Sequence, residues 1–110
     1  MTEDVTGRVR LEREGTLAWV TLSHPGRLNA ITVGMWRELQ DVFTQLAADD
    51  ALRCVIVRGE GGNFAAGADI REFPAQRADM AGVQRYHRDI LAPALRAVAQ
   101  CPHPVIAQIE

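Results

Sequence analysis

The sequence predicts an α/β domain in which strands alternate with covering helices and pair in parallel. Three observations predict it. Residues 8–13 alternate apolar and polar positions with the period of a half-buried strand, and residues 16–22 are rich in β-branched and aromatic side chains. Residues 32–46 carry an apolar stripe at spacings of three and four. Short continuous apolar runs at 53–58 and 105–109 follow helical segments, as parallel strands covered on both faces do.

The elements follow in order. Residues 8–13 set Val9 and Leu11 against Arg8, Arg10 and Glu12, and Glu14-Gly15 supplies a turn. Residues 16–22, rich in β-branched and aromatic side chains, return as the second strand of a hairpin. His24-Pro25-Gly26 breaks regular structure. Thr32 is the expected N-cap of a helix, since its hydroxyl can accept from an orphan amide of the first turn. Trp36, Leu39, Val42, Phe43 and Leu46 form the stripe of that helix, and Asp49-Asp50 closes it. The run 53–58, with arginine at both ends, is the next strand. Residues 59–67 read GEGGNFAAG, a glycine-rich loop. Residues 69–72 suit a short helical turn and 74–79 a mobile connector. A second long helix is expected over about residues 79–100. Met80, Val83, Ile90, Leu91, Leu95 and Val98 are its predicted stripe, and Pro93 should kink or split it. Pro102 and Pro104 stop it, and residues 105–109 form the last strand. That strand has no helix after it, so the expectation is a chain that stops within its domain. One incomplete domain, residues 1–110, is the predicted organisation.

Composition narrows the function classes. With 47% apolar and 24% charged residues, the 110-residue chain can fold rather than remain a disordered tail. A net charge of −2 leaves no basic excess for a phosphate backbone, so no nucleic-acid partner is expected. No apolar run approaches the roughly 20 residues of a membrane helix. The polar start MTEDVTGRVR has no signal core, which leaves a cytosolic or matrix-like compartment, and the expected location is cytoplasmic. Cys54 and Cys101 lie far apart beside apolar runs and read as reduced, buried thiols.

Few side chains announce chemistry. The glycine-rich loop lies between a strand and a helical turn, where backbone amides can face an anion. It contains no lysine, so it is no P-loop, and Phe64 stands where a dinucleotide fingerprint needs its last glycine. A Rossmann-like binding module is the third reading, and the broken fingerprint counts against it. His24, His87 and His103 have no metal-ligand spacing and read as surface or capping residues, so no metal is expected. Ser23 lacks a nucleophile-elbow context. Asp69 is either a catalytic carboxylate or the N-cap of the following turn. Trp19, Trp36 and Tyr86 lie on apolar faces and read as core.

Three segments taken together are specific. HPGRLNAIT (24–32), GGNFAAGADIREF (61–73) and PHPVIAQIE (102–110) resemble, in order and separation, the N-terminal half of the crotonase, or enoyl-CoA hydratase/isomerase, superfamily. The resemblance implies a spiral of ββα units, truncated here after the strand ending near Ile109. It implies an acyl-coenzyme A thioester as substrate, with coenzyme A as part of the substrate and no permanently bound cofactor. It also implies a homotrimer or hexamer. Its shared chemistry is stabilisation of a thioester enolate by two backbone N–H groups, and it places the first donor at Ala68. Ala66 and Ile70 would flank the nucleotide end. Arg27, Leu28 and Ala30 would add coenzyme A contacts, with Arg27 the candidate for a phosphate, and Gly67 and Asp69 complete the implied site. The second donor and the catalytic glutamates of hydratases would lie beyond Glu110, which is not itself a candidate base. The implied reaction is hydration of a 2-enoyl-CoA, with isomerisation, thioester hydrolysis and dehalogenation as other branches. A non-catalytic truncated homologue is the alternative from another class, and the 110 residues alone are expected to be inactive.

Overall fold

A computed structural model of the chain describes residues 7–76 and 79–109. Strand β1 (Arg8–Glu14) turns into β2 (Leu17–Ser23), which pairs with it antiparallel along its full length. Helix α1 (Val33–Ala47) crosses over to β3 (Cys54–Gly59), parallel to β2. After a tight turn at Glu60–Gly62 the chain makes a second short turn, Ile70–Glu72, and continues into α2 (Phe73–Gln76). Helix α3 (Met80–Arg85), a π-helical segment (Tyr86–Leu91) and α4 (Ala92–Ala99) form the second crossover. It leads to β4 (Val105–Gln108), parallel to β3 at the sheet edge. The sheet order is β1-β2-β3-β4.

The core lies between one face of this sheet and the helices. Val9, Ala18, Val20, Leu22 and Val55 meet Met35, Trp36, Leu39, Phe43 and Leu46 of α1 and Tyr86, Ile90 and Ala94 of the second crossover. Each large apolar side chain buried this way contributes about 1.5–3 kcal/mol. Thr32 is the N-cap of α1, its hydroxyl accepting from the Met35 amide at 3.1 Å. At the other end His103 lies 3.2 Å from the Leu46 carbonyl, so it does cap a helix. His87 is exposed beside the Val83 carbonyl.

Several expectations change. The other sheet face carries no helix among the described residues, so β3 is covered on one face only and Ile56 is half-exposed. That face is polar because β1 and β2 alternate: Arg10, Glu12 and Thr21 point there beside Arg58. Trp19 belongs to it and is not core; the Arg58 guanidinium stacks 4.3 Å from its ring. Cys54 and Cys101 are free, but half-buried rather than buried. The predicted connector 74–79 begins as helix α2; its positions 77–78, like residues 1–6 and Glu110, lie outside the described residues.

The second helix is broken upstream of Pro93. Proline has no N–H and its ring collides with the carbonyl four residues back. The chain avoids that collision by widening: the Ala92 amide donates to the His87 carbonyl, five residues back. The wider turn also moves the buried stripe. Gly82, Tyr86, Ile90 and Ala94 are buried, each four residues apart. Met80 and Leu95, expected in the stripe, are exposed.

Candidate functional site

Two segments build the site: residues 24–32, leaving β2, and residues 59–72, leaving β3. Because β2 and β3 are parallel, both loops emerge at the same end of the sheet, from the C-terminal ends of neighbouring strands. Asn29 joins them. Its buried carboxamide accepts from the His24 amide at 2.9 Å and donates to the Glu60 and Asn63 carbonyls, both at 2.9 Å. Leu28 and Asn29 both have positive φ, 53° and 57°. Asparagine tolerates this region, whereas for leucine it costs about 1 kcal/mol or more. The bonds of the Asn29 side chain offset that cost.

Residues 66–69 then run alongside 28–31. The Ala66 amide donates to Leu28, Ile31 donates to Gly67 at 2.8 Å, and Asp69 donates to Ile31 at 2.9 Å. Ala68 is the residue straddled by this parallel bridge, so its own polar groups face away from Ile31. The Gly67 carbonyl and the Ala68 N–H also share one planar trans peptide. With that carbonyl tied to Ile31, the N–H projects from the opposite side. Among the described residues it has no protein acceptor. Gly67 has φ +93°, a conformation that only glycine adopts at no steric cost, and this turns the chain so that the bridge can form.

Gly26, Arg27, Leu28, Ala30, Ala66, Ala68, Asp69 and Ile70 line one groove of about 330 Å³. It therefore brings together the site residues inferred from the sequence, except that Gly67 is exposed outside the lining and Gly26 is added. Leu28 and Ile70 expose apolar side chains beside it, 64% and 70% accessible. The Arg27 guanidinium is partly exposed, 4.0 Å from the Asp69 carboxylate.

Asp69 is the N-cap of the Ile70–Glu72 turn, accepting from the Arg71 amide at 3.0 Å. It is buried and also grips the Arg71 guanidinium, 2.6 Å from Nη2 and 3.1 Å from Nε. The Arg71 hydrogen bond holds the Asp69 carboxyl below its ordinary value, against the opposing effect of burial. A lowered folded value means stability present above the unfolded carboxyl range, about 3.9, and lost as pH falls through the folded value. Asp69→Asn keeps the cap but loses the charged pair. We expect it to cost about 2 kcal/mol near neutrality and to flatten the acid limb of a denaturation-versus-pH series. An unchanged acid limb would contradict the assignment.

Sequence reasoning missed four side chains here. His24 was expected at the surface or as a cap and is fully buried. Asn29 carried no motif signal of its own. Arg71 and Glu72 were read only as parts of a helical turn, yet the Glu72 carboxylate accepts from the Val33 amide at 2.8 Å, at the start of α1. On the far side of the loop, Ser23 donates to Glu60, which Arg10 also contacts at 3.0 Å. These two partners, Ser23 first, lower the Glu60 carboxyl. Ser23 is thus engaged as a donor within the scaffold.

The described residues contain no cluster of histidine, cysteine or carboxylate suited to a metal ion, and no helix long and apolar enough to cross a membrane. A sequence profile of the enoyl-CoA hydratase/isomerase family matches residues 12–110. The human mitochondrial Delta(3,5)-Delta(2,4)-dienoyl-CoA isomerase is 31% identical over 99 residues, covering 83% of this chain and 30% of the relative. The 1,2-epoxyphenylacetyl-CoA isomerase of Escherichia coli K12 is 32% identical over 97 residues, covering 83% and 35%. A crystal structure of an enoyl-CoA hydratase/carnithine racemase from Magnetospirillum magneticum superposes with a TM-score of 0.87 at 43% identity, covering 96% of this chain and 39% of that one. The chain thus spans about a third of the length of the relatives it matches. Profile, relatives and superposed fold agree with the three motifs, and the chain belongs to the enoyl-CoA hydratase/isomerase family.

Proposed function

We propose that this chain binds an acyl-coenzyme A thioester in the groove at residues 26–30 and 66–70, and that the Ala68 N–H donates to the thioester oxygen. The observation that carries this reading is the outward Ala68 amide at the edge of that groove. An amide tied back through its own peptide plane is already aimed, so it needs no reorganisation as negative charge develops. It therefore serves the enolate-like transition state more than the ground state. Arg27 would meet a phosphate of the coenzyme, and Ala66 and Ile70 would flank its nucleotide end.

In the full-length protein the proposed reaction is hydration of a 2-enoyl-CoA. The water oxygen bonds to C3, the electron pair moves through C2 to the thioester oxygen, and C2 is then protonated. The name of the dienoyl-CoA isomerase favours a second reading, double-bond isomerisation, in which a 3,5-dienoyl-CoA loses a proton at C2, passes through the same oxyanion and regains a proton at C6 to give the 2,4-dienoyl-CoA. Both reactions need the Ala68 donor, and neither needs a permanently bound cofactor. A homotrimeric or hexameric enzyme of the cytoplasm completes the proposal. Titration with a 2-enoyl-CoA carrying ¹³C at the thioester carbonyl tests it. The bound carbonyl resonance should move downfield, and free coenzyme A should compete. Binding without that movement would remove the donor role, and no binding would remove the site.

A further inference from the structure

We propose that His24 is a positioning residue for the Ala68 amide, acting through two peptide planes rather than by touching substrate. This rests on the reading of Ala68 as the thioester donor.

His24 is fully buried. Its Nδ1 lies 2.6 Å from the Ala30 carbonyl oxygen. A carbonyl can only accept, so Nδ1 carries the hydrogen. Its Nε2 lies 3.3 Å from Arg71 Nη2, which can only donate, so Nε2 accepts. Both ring nitrogens are therefore committed, and the imidazole is held in one tautomer.

The Ala30 carbonyl shares a planar trans peptide with the Ile31 N–H. Fixing the oxygen with His24 aims that N–H in the opposite direction, where it meets the Gly67 carbonyl at 2.8 Å. The Gly67 carbonyl in turn shares its plane with the Ala68 N–H. The sequence of bonds runs from His24 Nδ1–H to Ala30 C=O, from Ile31 N–H to Gly67 C=O, and ends at the Ala68 N–H. Each bond polarises the next, so the chain both orients the terminal donor and strengthens it. Arg71 closes the arrangement from the other side, since it holds Asp69, whose amide donates to the Ile31 carbonyl at 2.9 Å. The Ala68 peptide is thus fixed on both flanks.

Two carboxamides separate this role from simple core filling. His24→Asn can place its Nδ2 donor where Nδ1 stands. His24→Gln keeps the same chemistry but moves it one bond outward, away from the Ala30 carbonyl. In the intact protein, the asparagine variant should preserve the downfield ¹³C shift of a bound enoyl thioester, and the glutamine variant should lose most of it. The kcat of the glutamine variant should fall by about 10-fold or more, with a smaller change in KM, because a misaligned donor is felt at the transition state. Equal behaviour of the two variants, or the reverse order, would overturn the role of His24. If the native protein itself shows no carbonyl shift, the Ala68 reading fails instead, which keeps the two failures distinct.

Discussion

Replacing Ala68 by proline in the intact protein should lower turnover of a 2-enoyl-CoA by about 10² or more, equivalent to about 2.7 kcal/mol of transition-state stabilisation. Proline removes the backbone N–H while leaving a small apolar side chain. The Ala68 amide takes no protein acceptor among the described residues, so its deletion breaks no bond of the fold. The neighbouring bonds, from Ile31 to Gly67 and from Asp69 to Ile31, use other peptide groups. Proline also restricts the residue before it, here Gly67 at φ +93°, so some loop disturbance is expected. Ala68→Ser controls for that disturbance: it keeps the N–H and should retain most of the activity. Protection of the Asp69 amide from hydrogen exchange would report whether the bridge survives in the proline variant. Near-normal turnover by Ala68→Pro would remove the backbone donor from the mechanism.

The largest stability effect is expected at Gly59. A Cβ there would lie 1.7 Å from the Asn63 carbonyl oxygen and 2.1 Å from that of Phe64. Gly59 has φ −103°, which any residue adopts, so the demand is for space and not for conformation. Both obstacles are backbone, and no rotamer change can relieve them. The carbonyls are also held by Asn29 Nδ2, at 2.9 Å from Asn63 and 3.5 Å from Phe64. Gly59→Ala must therefore push the loop away and weaken the Asn29 bonds. We expect a loss of about 3 kcal/mol or more, read from chemical denaturation. Gly61→Ala is the comparison: its Cβ would meet open space, and only its positive φ of 75° is penalised, by about 1 kcal/mol. Equal losses at the two positions would show that the close approach at Gly59 does not constrain the loop.

The scaffold was largely legible because its signals are local. Alternation gives β1, β-branched and aromatic content gives β2, the Thr32 hydroxyl marks the start of α1, and arginines bound the run of β3. Trp19 was misplaced because hydropathy cannot say which face of a sheet receives the helices. The second crossover was misread for a related reason. Its buried row includes Gly82 and Ala94, small residues that allow close helix approach but rank low as core. Pro93 signals an irregularity without saying that the turn upstream will widen to absorb it. Within the site, the loop AAGAD was legible as a motif, and the groove residues came with it. The supports were not. Asn29 bonds to carbonyls 31 and 34 residues away, and His24 meets Arg71 across 47. Such bonds have no period and no spacing rule.

Those separations also bear on the order in which the molecule acquires its parts. A hairpin such as β1-β2 closes through neighbouring residues at small entropic cost, whereas contacts spanning 31 to 47 residues require a long loop to close first. Here the closure is the parallel crossover through α1, because only the pairing of β3 with β2 brings residues 60–72 beside residues 24–31. The Asn29 and His24 bonds add to a structure whose entropy of closure has already been met. They are formed by arrival and not by nucleation. A nascent chain that has produced the hairpin and α1 therefore holds one half of the groove, residues 26–30, and not yet the segment that carries Ala68. The Ala68 amide acquires its direction only when that second segment docks on residues 28–31.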